Sequence, residues 1–141
     1  MIEKIWVNTD EEFNKCAELR KEVFVKEQGV AEELDFDGSD EYARSLLYLL
    51  DGKPVATGRL IEQDGDIYIG RVAVKKELRG KGMGAQIVND LALKAFEEGA
   101  ACCCVHAQLH AEGFYAKLGF KPIGDVFLEA DIEHISMVKE A

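Results

Sequence analysis

No apolar run in this 141-residue chain approaches the ~20 residues that a membrane-spanning helix needs. The opening Met1-Ile2-Glu3-Lys4-Ile5-Trp6 lacks the basic start and apolar stretch of a signal peptide, so the expected location is the cytoplasm. Proline, at two residues, is too scarce for a linker or polyproline segment. Cysteine is sparse and badly spaced for cross-linking: Cys16 stands alone, and Cys102, Cys103 and Cys104 are consecutive. No Cys-x-x-Cys occurs and no metal cluster is evident, so reduced, buried thiols are expected. Positive charge is the other shortage. Seventeen Lys and Arg against 27 Asp and Glu leave a net charge of −10, which argues against nucleic acid or an anionic membrane surface as partner.

What is present reads as one domain, residues 1–141, long enough to bury a core and too short for two. Ile2–Val7 is β-prone. Asn8-Thr9-Asp10 followed by Glu11 and Glu12 suits a helix N-terminus, and Phe13, Cys16, Ala17, Val23 and Phe24 recur at helical spacing to about Lys26. Residues 27–41 read as a carboxylate-rich loop with one short helix at most. Ser45–Leu50, Pro54–Glu62 and Ile67–Val74 form an expected antiparallel meander, with Asp51-Gly52 and Asp64-Gly65 as hairpin turns. A helix is expected over Gly82–Glu98, closed by Gly99, then a strand over Ala101–His106 and a helix over His110–Leu118. Phe120–Ile123 and Ile135–Lys139 can pair as a terminal hairpin. The order predicts a mixed α+β fold.

Five of the seventeen basic residues fall between Arg71 and Lys81, against the general charge of the chain. There a strand, Val72-Ala73-Val74, runs into Arg79-Gly80-Lys81-Gly82-Met83-Gly84 and then into a helix. Three alternating glycines leave backbone N–H groups uncovered at the positive end of the helix dipole, an anion site suited to a pyrophosphate. A P-loop is excluded because Met83, not Lys-Ser/Thr, follows Gly82; a dinucleotide fingerprint is excluded by the glycine spacing and the meander context. The remaining pattern, Arg-x-x-Gly-x-Gly, resembles the coenzyme A pyrophosphate loop of the GNAT superfamily of acyl-CoA N-acyltransferases. Phe114-Tyr115-Ala116-Lys117-Leu118-Gly119-Phe120 resembles that family's second signature. Val23-Phe24-Val25-Lys26-Glu27-Gln28 and Ala107-Gln108 resemble a small bacterial subgroup, itself loosely similar to glucosamine 6-phosphate N-acetyltransferases.

The resemblance implies the acyl-CoA N-acyltransferase fold, a mostly antiparallel splayed sheet flanked by helices. It implies acetyl-CoA as cosubstrate, held by Val72, Ala73, Val74, Arg79, Gly80, Lys81, Gly82, Met83 and Gly84, and direct transfer to a primary amine of a small molecule or peptide. A non-catalytic acyl-CoA sensor that kept the fold is the alternative. By residue type Tyr115 reads as a packing aromatic between Phe114 and Phe120; the resemblance implies a general acid that protonates the leaving thiolate. For the base the sequence offers Glu27, His106, His110 and His134, with His106 best placed at a strand end. Arg59 and Arg71 are either substrate anchors or members of internal ion pairs. Glu27, Glu32, Glu33, Asp35, Asp37, Asp40 and Glu41 suggest an acidic wall favouring a cationic amine. A homodimer stays open.

Overall fold

A computed structural model describes residues 1–36 and 38–141, with the side chains of Glu33 and Leu34 outside the description. Strand β1 (Ile2–Trp6) leads into helix α1 (Asp10–Arg20), which continues with wider π-type turns over Lys21–Glu27. The start of α1 is set by reciprocal capping. The Glu12 N–H donates to Thr9 Oγ1 at 3.1 Å, and the Glu12 carboxylate accepts from the Asn8 N–H at 2.8 Å. A short helix α2 (Glu32–Asp35) precedes strands β2 (Arg44–Leu50), β3 (Lys53–Gln63) and β4 (Asp66–Val74). Both linking turns have the expected mirror-image geometry, with positive φ at Asp51, Gly52, Asp64 and Gly65.

Helix α3 (Met83–Glu97), strand β5 (Cys102–Gln108), helix α4 (Glu112–Lys117) and strands β6 (Lys121–Glu129) and β7 (Ile132–Glu140) complete the chain. The seven strands form one sheet in the order β1-β2-β3-β4-β5-β7-β6, antiparallel throughout except for β4 beside β5. The mixed α+β architecture expected from the sequence is the one observed. The terminal hairpin is longer than the sequence suggests, because its turn, Ala130-Asp131, takes left-handed geometry without glycine (φ 51 and 62).

The sheet is covered on both faces. On one, Ile87, Val88, Leu91, Ala92 and Ala95 of α3 pack on Leu46, Tyr48, Leu60, Ile69, Cys103, Val105 and Met137. On the other, Cys16, Leu19 and Val23 lie against Leu47, Leu49 and Ala73. Helix α3 approaches β3 closely because Gly58 has no side chain: a Cβ there would stand 2.7 Å from Leu91 Cδ1 and 2.9 Å from Ile87 Cγ2. Both neighbours are fully buried, so Gly58→Ala is expected to cost about 1–3 kcal/mol by overpacking. Urea unfolding measures this, and an unchanged midpoint would show that the helix layer retreats freely.

The four cysteines are free, as expected. Burial pushes the thiols of Cys103 and Cys104 up to about 12 and about 11, the reverse of a reactive setting.

One irregularity shapes the site. Thr57 pairs with Ala73 while Arg59 pairs with Gly70, so β4 carries an extra residue opposite β3. Arg71 sits in this bulge at φ 51, a conformation rarely adopted by a bulky side chain. The extra residue shifts the alternation, so that Ile69 and Val72, three apart, both face the α3 layer. Beyond the bulge β4 no longer follows β5. The two strands are paired only at Tyr68↔Cys104 and Ile69↔Val105.

Candidate active site

The divergence of β4 from β5 opens a gap between Val72–Val74 on one side and His106–Gln108 on the other. The backbone N–H and C=O groups facing such a gap have no strand partner across it, so an extended ligand can pair with them.

The glycine loop lies at one end of this gap. A single turn, Lys76–Leu78, follows β4, and the chain then enters α3 through Gly80 and Gly82, both at φ 81. The space where their Cβ atoms would project is empty of protein, which leaves room for a bound group against the backbone. The N–H of Gln86 is the first to bond within the helix, to Gly82 O at 3.1 Å, so the N–H groups of Met83, Gly84 and Ala85 are at the disposal of an anion. Gly84 lies within the first turn, where an added Cβ would be 3.5 Å from Phe114 and 3.7 Å from Val74. The cradle thus has open space and uncommitted helix N–H groups on the scale of a small anion.

Arg79 does not serve as a free cation here. Its Nη atoms form a forked pair with Glu27, at 2.5 and 2.9 Å, and its Nε donates to Val74 O at 3.0 Å. The pair ties the end of the first helical segment to the loop. Hydrogen bonding from Arg79 holds the Glu27 carboxyl below the ordinary range. Both Glu27 oxygens are engaged and the group is a poor proton acceptor, the opposite of what a general base needs.

Tyr115 is half-buried on α4, edge-on to Phe114 at 5.0 Å and to Phe120 at 5.6 Å between centroids. Burial pushes its hydroxyl up to about 12, so it is protonated at neutral pH. Phe114, which touches both Tyr115 and the Gly84 turn, links this helix to the glycine loop.

The three histidines differ sharply. His106 is exposed on β5 where the gap begins, on the face opposite the α3 core. Its ring is edge-on to Tyr68 at 5.0 Å and to Phe127 at 5.1 Å, and its Nδ1 lies 3.0 Å from Glu129 Oε1. His134 is buried. His110 is exposed and bonds through Nε2 to Gln108 at 2.7 Å, while Gln108 donates to Gln28 at 3.2 Å. The two sequence fragments ending in Gln28 and Gln108 are therefore in contact, closing the first helical segment over the end of β5. Glu129 has no local signal of its own, because its partner His106 lies 23 residues away on another strand.

Arg59 and Arg71 belong to an internal network. Asp40 Oδ1 accepts from Arg20 at 2.8 Å and Arg59 at 2.9 Å, and Asp35 Oδ1 faces Arg71 Nε at 2.9 Å and Arg20 at 3.4 Å. The acidic wall is thereby largely dissolved. Asp35 and Asp40 are neutralised inside the protein, Glu32 pairs with Lys21 at 3.3 Å, and Glu27 with Arg79. Glu41 is exposed, while Asp37 and the Glu33 side chain lie outside the described residues. Among the described residues no helix is long and apolar enough to cross a membrane. Among the described residues no group of three or more His, Cys, Asp and Glu side chains is arranged to hold a metal ion.

Comparison with known proteins identifies the family and the fold. Residues 7–141 match the family model described as the acetyltransferase (GNAT) domain. The chain is 31% identical to an uncharacterised N-acetyltransferase, YjcF, of Bacillus subtilis over 140 residues, 99% of this chain and 100% of that protein. The crystal structure of Escherichia coli ElaA superposes with a TM-score of 0.88 at 28% identity, covering 99% of both chains. A more distant aminoglycoside 6'-N-acetyltransferase, crystallised with coenzyme A, shares the fold at 16% identity and a TM-score of 0.79, covering 99% of this chain and 96% of that one. The chain belongs to the GNAT acetyltransferase family.

Proposed function

We propose that this protein transfers acetyl from acetyl-CoA to a primary amine by direct attack. The carrying observation is the gap between β4 and β5 opening beside the Gly80–Gly82 cradle, which supports backbone binding of pantetheine and pyrophosphate there. Coenzyme A bound to a protein of the same fold is consistent with this reading. Val72, Ala73 and Val74 line the arm of the donor. Gly80, Lys81, Gly82, Met83 and Gly84 hold its phosphates, and Arg79 shapes the loop through Glu27.

The amine nitrogen attacks the thioester carbonyl, forming the C–N bond as the C–S bond breaks. His106, at the mouth of the gap, takes the proton lost by nitrogen. Tyr115, kept protonated by burial, gives a proton to the departing sulfur. The products are an N-acetylated amine and free coenzyme A. Glu27 is assigned the loop clamp rather than the base.

Two measurements test this. Thiol release from acetyl-CoA is followed against spermidine, an aminoglycoside, a Lys peptide and glucosamine 6-phosphate. Acceptor-dependent release is expected, and binding without release to any amine would favour a sensor. Acetyl-CoA at ~100 times its dissociation constant is expected to stabilise the fold by about 2.7 kcal/mol, read as a thermal shift. Gly82→Val should abolish the shift, because a β-branched side chain at φ 81 is strained and would fill the cradle. An absent shift in the unmodified protein at millimolar ligand would remove the cofactor assignment.

A further inference from the structure

We propose that Glu129 is a positioning residue for His106: its carboxylate fixes the ring in the Nδ1–H form and turns Nε2 into the lone-pair base of the acceptor site. The inference rests on the reading of His106 as the base and adds a residue to it.

The chemistry of the contacts decides the proton positions. A carboxylate accepts and does not donate, so His106 Nδ1, 3.0 Å from Glu129 Oε1, carries the hydrogen. The lone pair is left on Nε2, the atom a base must present. The same logic applies to the buried His134. Its Nδ1 lies 2.7 Å from the Ile132 carbonyl and must donate to it, so in the neutral ring Nε2 carries no hydrogen. That Nε2 stands 3.7 Å from the second oxygen of Glu129. Glu129 therefore lies between two imidazoles but is bound firmly only to the exposed one. When His106 takes a proton, the neighbouring carboxylate stabilises the imidazolium, the role a third group plays behind a catalytic histidine in other enzymes.

The fold holds this arrangement by tight local geometry. Glu129 pairs with Ile132 at the closing rung of the β6–β7 hairpin, and the left-handed Ala130-Asp131 turn leaves no slack. Strand β7 lies between β5 and β6, with Gln108 opposite His134 and Phe127 opposite His134 on its other side. The Glu129 side chain thus reaches back to His106 on β5, just past the last residue paired with β4. Phe127, stacked on His134 at 5.9 Å and edge-on to His106 at 5.1 Å, fills the space between them. Tyr68, the charge of Arg71, and Cys104 on β5 are the other polar or titratable groups around the cluster. Hydrogen bonding from His106, and then the charges of His106, His134 and Arg71, hold the Glu129 carboxyl below the usual range despite burial acting the other way. It is ionised wherever an amine base is needed.

The test uses Glu129→Gln, Glu129→Leu and His106→Ala, with acetyl-CoA and the best amine of the panel above. Glu129→Gln is expected to lower kcat/KM by roughly 10- to 100-fold, part of what general base catalysis contributes. In the His106→Ala background the same change should cost no further activity, since the two act as a unit. Independently of any acceptor, nitrogen NMR of ¹⁵N-histidine-labelled protein should find His106 in the Nδ1–H form, with Glu129→Leu shifting it toward Nε2–H. If His106→Ala turns over normally, His106 is not the base and the proposed mechanism falls with this inference. If His106→Ala is inactive while Glu129→Gln keeps the rate and Glu129→Leu keeps the tautomer, only the role of Glu129 is overturned.

Discussion

Tyr115→Phe is expected to lower kcat by ~10²–10⁴-fold while leaving the affinity for acetyl-CoA nearly unchanged. The substitution removes one hydroxyl and keeps the ring, so the edge-on contacts with Phe114 and Phe120 persist. Nothing in the Gly80–Gly82 cradle changes, and the thermal shift with acetyl-CoA should match that of the unmodified protein. The proton donor matters because a thiolate leaving group must be protonated for the acyl transfer to be committed. A hydroxyl pushed up to about 12 is fully protonated across the working range, so the loss should be uniform between pH 6 and 9 rather than confined to one limb. Wild-type turnover in this variant would mean that sulfur takes its proton from water or another group, and Tyr115 would revert to a packing role.

The second large effect concerns stability. Asp40→Asn is expected to destabilise the fold by about 3 kcal/mol, the lower end of the cost of breaking a buried pair, because the carboxylate keeps some contact with water. One carboxylate oxygen serves both Arg20, which is almost wholly buried, and Arg59, which is 6% exposed. Neutralising it takes the carboxylate from Arg59 and leaves Arg20 with Asp35 as its remaining acidic partner. The pH dependence has a definite sign. Burial raises the Asp40 carboxyl, but the hydrogen bonds and charges of Arg20 and Arg59 outweigh it, and the net shift is downward. A depressed acid contributes stability that is present above its unfolded value of about 3.9 and is lost as pH falls through the folded value. Urea unfolding at pH 7 and through the acid range measures both parts. The substituted protein should be weaker at pH 7 and flatter with pH below 4. A loss under about 1 kcal/mol would show that the network is replaceable by water.

These effects also mark where sequence reasoning reaches. The start of α1, the two Asp-Gly turns, the apolar stripe of α3 and the glycine loop were legible because each is decided within a few residues: a side-chain cap, two left-handed positions, a 3.6-residue period, a run of uncovered N–H groups. The family pattern around Arg79–Gly84 and Tyr115–Phe120 was visible for the same reason. The β6–β7 turn was not, since Ala130 adopts a left-handed conformation that its residue type does not announce. The acidic segment also misled. Local sequence shows carboxylates without cations among residues 27–41, and only folding brings Arg20, Arg59, Arg71 and Arg79 to neutralise them. The contact of His106 with Glu129 spans 23 residues and that of Gln28 with Gln108 spans 80. By itself the sequence determined the glycine loop and the class of fold. The tertiary structure alone decided which charges are internal, where β4 parts from β5, and which histidine meets Glu129, because those depend on strand register and on partners that no local pattern encodes.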